Sequence, residues 1–559
     1  MGTTFDDFEP TVASLDQWNV AEMLARQAQQ RPDKEFLVEA EGLRRIFTYE
    51  EARTLAATVG ARLRARGYKP QERLAIMMNN SVEYIFAWLG AAHAGVVEVP
   101  INNDFKGPLL EHVVNLTTPR GVVVDVTHAR RFLDSRTSLP DGLEFFVVGD
   151  LAEDTIAEIR SVGWSAEAFS ALQEPGLPDS ELARTNVAAR ELGAILSTSG
   201  TTGPSKAVMM PHAQAHFFAE ETVNLMRLTE DDRYMLALPL FHVNAQFCVV
   251  YPCLLVGATA VLFPRFSSTR FSERVHEFGI TTVNFVGVMM GWVASQPEDP
   301  RDRRSTLRCV WSSPTVAELA PTLTERYGLE AITEVYGQTE TSMVFMTPYG
   351  EPRPPGAVGK VVSDYYDVAI VDPETDIEVA VGEVGELVIR PKLPWIVNTG
   401  YWNMPEASAA IRRNLWLHTG DALKCDADGW FYLVDRIKDA IRRRGENISS
   451  FEVESMLQRH ELISECAVVA VPSEYAGGED EIKACVILAP GAEAPSVFEE
   501  IVEWCDAELP KFMVPRYWEA FEELPKTPSA KVRKSELRSA GINATTYDRR
   551  DSSASIAQH

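Results

Sequence analysis

Residues 197–206 read STSGTTGPSK, a run of hydroxyls and two glycines ahead of one lysine. Glycines let backbone N–H groups converge on phosphate oxygens. Thr198, Ser199, Thr201 and Thr202 add side-chain donors. An anion fits such a loop; so does a polar surface turn. The nucleotide-binding P-loop is excluded, because it needs a lysine directly after its second glycine and then a metal-binding hydroxyl. Here Pro204 and Ser205 separate Gly203 from Lys206, and Ala207 follows.

Other stretches carry chemistry of the same kind. In EVYGQTET, residues 334–341, Tyr336 offers a flat ring, Gly337 allows close backbone approach, and Thr339 sets a hydroxyl beside the Glu340 carboxylate. Hard oxygen donors so placed suit Mg²⁺ and phosphate, although a capped helix start has the same composition. Asp421, in WLHTGD, is suited to accepting two ribose hydroxyls or to capping a turn. Lys531, in PKTPSAKVRK, is either a positioned cation or a solvated lysine. His242 ends the run YMLALPLFH, where a histidine is a gate or a structural residue.

The elements that must position these groups show in the periodicity. FTYEEARTLAATVGARLRARG and SVEYIFAWLGAAHAG read as helices, the second capped by Ser81 and stopped by Gly95. ERLAIMM, VVEVPIN and GVVVDVT read as strands between them. The rhythm returns in YMLALPLFH, TAVLFPRF, ITTVNFVGV, STLRCVWSSP and AITEVYG. Such alternation predicts a mixed α/β fold with substantial parallel sheet, whose ligands sit where strands end. Close-set turns from Val358 predict a β-rich subdomain to residue 436. Residues 1–436 are expected to form a large N-terminal domain and 437–540 a small α+β C-terminal domain. The polar stretch 541–559 reads as a disordered tail.

Composition narrows the class. The 559-residue chain has a formal net charge of −27, which argues against nucleic-acid binding. Its 7 cysteines form no C-x-x-C pair, so neither zinc nor a disulfide framework is expected, and a reducing, cytoplasmic setting is. The N-terminus carries acids where a secretion signal needs bases, and Asp6 stands where a myristoylation signal needs a hydroxyl. The longest apolar run is broken by Pro252, so no membrane span is expected.

Read together, the 197–206 loop, LPLFH, EVYGQTE, GELVIRP, WLHTGD, DRIKDAIRRRGENIS and PKTPSAKVRK stand in the order and approximate spacing of the adenylate-forming enzymes. Over about residues 20–540 the chain resembles acyl-CoA synthetases, firefly-type luciferases and the adenylation domains of peptide synthetases. It looks most like medium-sized acyl-CoA ligases, including those for carnitine and crotonobetaine. The resemblance implies ATP, Mg²⁺, coenzyme A and a small carboxylic acid, with a monomer or homodimer as the working unit. The acid becomes acyl-AMP with release of pyrophosphate, then a thioester with release of AMP.

The resemblance also implies roles. Thr198, Ser199, Gly200, Thr201, Thr202, Gly203 and Lys206 would cover the ATP phosphates. Ser312, Ser313 and Pro314, with Glu334, Tyr336, Gly337 and Gln338, would surround the adenine. Thr339 would bond the α-phosphate, and Glu340, helped by Thr198, would bind Mg²⁺. Asp421 would take the ribose hydroxyls with Arg436 nearby. Lys531 would stabilise charge growing on the α-phosphate. Rotation of the C-terminal domain about Lys438 would withdraw Lys531 and bring Arg443, Arg444 and Gly445 to a CoA channel. His242 would guard an acyl pocket walled by Phe241, Asn244, Gln246, Val286, Met289 and Trp292. That wall has no carboxylate to offset a buried cation, so a neutral, medium-sized acid is expected rather than carnitine or a long straight chain.

The pattern departs from the family's at Ala207, Arg444 and Ala530, where many members have glycine, and at the bulkier SSPT, residues 312–315. None removes a charged group of the site. A ligase that loads a separate carrier protein, a luciferase-like oxygenase and a nucleotide sensor on the same fold share these motifs.

Overall fold

A computed structural model of the chain describes residues 4–6, 8–150, 152–178, 180–198, 205–286, 289–436, 440–443, 446–474, 479–525, 532 and 534–550. Two seven-stranded sheets organise the first two-thirds of it. One runs Ser165–Ala168, Glu144–Val148, Gly121–Asp125, Arg73–Met77, Val97–Pro100, Leu192–Thr198 and Lys206–Pro211 in spatial order, parallel except for the last pair. The other runs Ala331–Thr333, Cys309–Ser313, Thr282–Val286, Arg233–Leu236, Thr259–Leu262, Glu35–Glu39 and Ile46–Thr48, parallel except at its last edge. Helices cover these sheets, so central strands such as Thr259–Leu262 are buried throughout rather than on alternate residues. The helix Val82–Ala94 begins where Ser81 accepts the Tyr84 N–H and ends at Gly95, whose φ of 73° is left-handed. That is the start and stop expected of its sequence.

The helix His212–Met226 is buried almost all round yet carries Gln214, His216, Glu220 and Glu221. Buried polar groups must be hydrogen-bonded, and each of these reaches a different element. Glu220 accepts the backbone N–H groups of Thr11 and Val12 at 2.7 and 3.0 Å. Glu221 accepts the Met343 N–H at 2.9 Å, and burial pushes its carboxyl well above the ordinary range. Gln214 donates to the Thr339 carbonyl at 2.8 Å.

An antiparallel sheet of eight strands follows. It begins with Val335–Gln338 and Ser342–Met346, so the β-rich unit starts ahead of the expected boundary at Val358. AITEVYG reads as a strand and forms two: Ala331–Thr333 ends the parallel sheet and Val335–Gln338 opens the antiparallel one, with Tyr336 opposite Phe345 rather than in a helix start. Beyond residue 440 a four-stranded sheet forms from Ile463–Val471, Glu481–Leu488, Tyr517–Ala520 and Tyr547–Asp548. The helices Ser450–Leu457, Phe498–Glu508 and Lys534–Ala540 accompany it. Lys106 donates to the Asp506 carbonyl at 3.0 Å, tying this part to the N-terminal part.

The last of those strands corrects the expectation of a disordered tail for residues 541–550, while residues 551–559 lie outside the described residues. Tyr547–Asp548 pairs with Tyr517–Ala520, and Asp548 meets the buried Arg516 guanidinium at 2.7 Å. An ion pair with an almost buried arginine holds a polar segment that its composition alone would leave free. Truncation after residue 540 should lower stability by roughly 2 kcal/mol, the scale of a hydrogen bond to a charged group; thermal melts of the two chains check this.

Glu98 offers a second test. It is fully buried on Val97–Pro100, and burial raises its carboxyl from the usual 4.5 to about 8. Below pH 4.5 it is protonated folded or unfolded. As the pH climbs toward 8, the unfolded chain releases the proton and the folded chain keeps it, so stability falls across that window. Glu98→Gln should flatten this slope in melts taken from pH 5 to pH 8, a range chosen to bracket about one proton's linkage.

Candidate active site

The strands Arg233–Leu236, Thr282–Val286 and Cys309–Ser313 are parallel neighbours, and their carboxyl ends open on one cavity of about 1610 Å³. This is where open α/β sheets place ligands. The antiparallel sheet supplies another wall through Tyr336, Gln338 and Asp421, and Ile448, Pro472 and Met513 close it from the C-terminal part.

At one end of the cavity the Asp421 carboxylate is the hub. Its Oδ2 accepts from the Tyr336 hydroxyl at 2.8 Å and from Gln338 Nε2 at 2.7 Å. These bonds fix the Tyr336 ring and the carboxylate as one unit. The turn before Asp421 is fixed too: Glu386 accepts the Gly420 N–H at 3.0 Å and meets His418 Nδ1 at 3.0 Å. Strand register sets Arg436 directly opposite Asp421. Glu334 is ion-paired with Arg353 at 2.7 Å and accepts the Thr315 N–H at 3.2 Å, so it braces the segment 312–315. Gly337 does allow a close approach, but to protein: a Cβ there would lie 2.2 Å from the Ser342 carbonyl oxygen. No ligand is needed to explain that glycine.

Thr339 and Glu340 follow on a loop held from both sides. Gln214 holds the Thr339 carbonyl from the buried helix. The Asn398 N–H donates to the Glu340 carbonyl at 2.9 Å, and the Tyr401 hydroxyl donates to Glu340 Oε1 at 3.0 Å. Residues 399–402 in turn run along Lys206–Pro211, with Trp402 N–H donating to the Ala207 carbonyl at 2.7 Å. That pairing brings Lys206 Nζ to 4.8 Å above the Tyr401 ring. One tyrosine therefore touches both the lysine and the carboxylate that the sequence singles out separately. The motif TGYWN, with an aromatic after a glycine, was the available signal for Tyr401; nothing in the sequence points to Gln214.

At the other end Phe241, His242, Asn244, Val286, Met289 and Trp292 line the cavity. Trp292 is 45% exposed, which puts it at the mouth rather than the floor. Gln246 corrects the expectation. It is wholly buried and donates to Glu98 at 2.6 Å, away from the cavity. Residues two apart on a helical turn face opposite sides, so Asn244 and Gln246 cannot share a wall. Arg443 is a second correction. Its guanidinium is buried, donates to the Phe512 and Val514 carbonyls and pairs with Glu481 at 2.7 Å. Its side chain braces the C-terminal part instead of facing a CoA channel. Ser199, Gly200, Thr201, Thr202, Gly203, Lys438, Arg444, Gly445 and Lys531 lie outside the described residues.

Residues 24–402 match the family described as AMP-binding enzyme, and residues 452–531 match the AMP-binding enzyme C-terminal domain. The chain is similar to a crotonobetaine/carnitine–CoA ligase of Salmonella enteritidis, at 28% identity over 504 residues, 89% of this chain and 94% of that protein. Among solved structures, ATP-bound MatB from Rhodopseudomonas palustris is 27% identical with a TM-score of 0.62, over 93% of this chain and 98% of its own. An o-succinylbenzoate CoA synthetase from Bacillus subtilis, at 22% identity, shares the fold with a TM-score of 0.77 over 97% of this chain and 99% of its own.

The two contacts of Tyr401 can be separated. Tyr401→Phe removes the bond to Glu340 and keeps the ring beside Lys206; Tyr401→Leu removes both. Affinity for Mg²⁺–ATP, measured by calorimetry, should fall about tenfold in the first and further in the second, since a hydrogen bond to a charged group is worth about 1.5–3 kcal/mol.

Proposed function

This chain belongs to the AMP-binding enzyme family, and from that premise we propose that it is an ATP-dependent carboxylate–CoA ligase. The observation that carries the reading is one cavity lined both by Tyr336, Thr339 and Asp421 and by Phe241, Asn244 and Met289. A nucleotide at the first set and an acyl chain at the second would meet beside Thr339.

In the first half-reaction a carboxylate oxygen of the acid attacks the α-phosphorus of ATP. The bond to the β-phosphate oxygen breaks, giving acyl-AMP and pyrophosphate. Tyr336 and Asp421 hold the adenosine, the Thr339 hydroxyl bonds the α-phosphate, and Lys206 with its loop neutralises the departing pyrophosphate. Lys531 offsets charge on the α-phosphate, where a positioned cation is most effective. In the second half-reaction the CoA thiol loses its proton and attacks the acyl carbonyl, and AMP leaves.

The donor set suits Mg²⁺. Among the described residues no group of three or more His, Cys, Asp or Glu side chains could hold a metal by itself. Glu340 and the Thr198 hydroxyl would hold it together with phosphate oxygens, as this hard cation prefers. Bound there, it neutralises phosphate charge.

The acyl group is read as neutral. Phe241, Val286, Met289 and Trp292 present no carboxylate to a cation, and Trp292 is too exposed to desolvate one. Carnitine, the acid named for the Salmonella relative, is therefore not expected to lead a substrate panel.

The reading is tested by products and by two variants. AMP and pyrophosphate should form in equal amounts; ADP as the product would overturn it. Lys531→Ala should slow acyl-AMP formation about a hundred- to thousandfold, the cost of losing one positioned electrostatic group, and spare thioester formation from supplied acyl-AMP. Lys438→Pro should do the reverse, because proline fixes φ at the hinge. Equal loss in both halves in either variant would refute the role given to that residue.

A further inference from the structure

Behind the acyl end of the cavity a chain of three polar side chains runs through apolar packing. Tyr234 is fully buried on Arg233–Leu236 and donates its hydroxyl to Asn284 Oδ1 on the adjacent strand Thr282–Val286. Asn284, 3% exposed, donates from Nδ2 to Asn244 Oδ1 at 2.8 Å. Asn244 lines the cavity.

The direction of this chain is set at its buried end. A phenol has one proton to give. The other neighbour of the Tyr234 hydroxyl is the Met226 sulfur at 2.8 Å, and a thioether is a weak acceptor. The proton therefore goes to the amide oxygen of Asn284. With that oxygen taken, the Asn284 NH₂ faces Asn244, and Asn244 must answer with its own oxygen. What Asn244 has left is its NH₂. No described residue accepts from it, and it is not among the buried atoms lacking a partner. On a half-buried side chain that lines the cavity, those N–H groups open into the cavity. Turning the amide over would set NH₂ against NH₂, so Tyr234 and Asn284 lock it as a donor.

We propose that Asn244 is a specificity residue that presents amide hydrogens to the acyl chain, so that the preferred acid carries a hydrogen-bond acceptor, such as a ketone or ether oxygen, along its chain. This rests on the ligase reading above. A plain hydrocarbon chain leaves the N–H groups without a partner once water is excluded, and a site with a buried polar group rejects an analogue that cannot satisfy it far more strongly than an apolar pocket rejects a missing methylene. A trimethylammonium group would meet the positive end of the same amide dipole.

The test uses the full chain with ATP, Mg²⁺ and CoA, reading AMP release. Oxo acids with the carbonyl walked along the chain are compared with their methylene twins, and acetyl-substituted with isopropyl-substituted aryl acids. At one carbonyl position kcat/KM should exceed that of the hydrocarbon twin by about tenfold or more. Asn244→Leu should bring that ratio close to unity by slowing the oxo acid more than the twin. Asn244→Asp should invert the preference toward a hydroxyl donor at the same position. Tyr234→Phe should lower the ratio without touching the hydrocarbon rate, because the amide is then free to turn. A wild-type protein with no preference at any position, or an unchanged ratio in Asn244→Leu, overturns the proposal. Calorimetry with matched non-hydrolysable acyl-sulfamoyl adenosines makes the same comparison without turnover. A retained tenfold binding preference without AMP release would support the Asn244 assignment and sink the ligase reading alone.

Discussion

Glu220, Glu221 and Gln214 lie inside the molecule on one helix, and polar groups taken out of water are costly unless they find partners. This constraint ties the helix to the N-terminal segment and to the antiparallel sheet. Glu220 takes two N–H groups from the N-terminal segment. Glu221 takes one from Met343 and meets the Tyr366 hydroxyl at 3.2 Å, and that hydroxyl also donates to the Thr341 carbonyl at 3.1 Å. Gln214 takes the Thr339 carbonyl. The loop that carries Thr339 and Glu340 is thus held from beneath by Gln214, and just after it by the Tyr366 hydroxyl that also meets Glu221.

From above, the same loop is held by the strand-like run 398–402. Its pairing with Lys206–Pro211 links Lys206, the Tyr401 ring and the Glu340 carboxylate. A site proposed to gather a triphosphate and a metal needs cations and carboxylates near one another without collapse into a direct ion pair. An aromatic phenol between them does this: the ring face attracts the ammonium, and the hydroxyl occupies the carboxylate. On the proposed reading, nucleotide and acyl groups would meet at the carboxyl ends of three parallel strands, which set Leu238, Phe241, Asn244, Val286 and Ser313 around a shared cavity.

Much of this was legible beforehand. The helix Val82–Ala94 carries its own start and stop in Ser81 and Gly95. Buried strands declare themselves as apolar runs, and hydroxyl–glycine loops mark places where anions fit. What escaped is non-local. Val335–Gln338 reads as one strand with Ala331–Thr333, but it leaves the parallel sheet to pair with Ser342–Met346. Residues 541–550 look free until Arg516 is seen buried across from Asp548. Gln246 and Arg443 are plausible cavity residues by position, and each turns away because a buried carboxylate, Glu98 or Glu481, is nearer.

The order of the motifs along the chain therefore determined the chemistry: which groups could hold phosphate, ribose, metal and acyl chain. Tertiary structure alone decided which of those groups meet and in what orientation. Tyr336 and Asp421 are 85 residues apart and share one hydrogen bond. Asn244 is a hydrogen-bond donor to the cavity only because Tyr234, through Asn284, has used up its oxygen. A side chain's type states what it can donate or accept; which capacity remains for a substrate depends on the neighbours that have already been satisfied, and those neighbours are chosen by the fold.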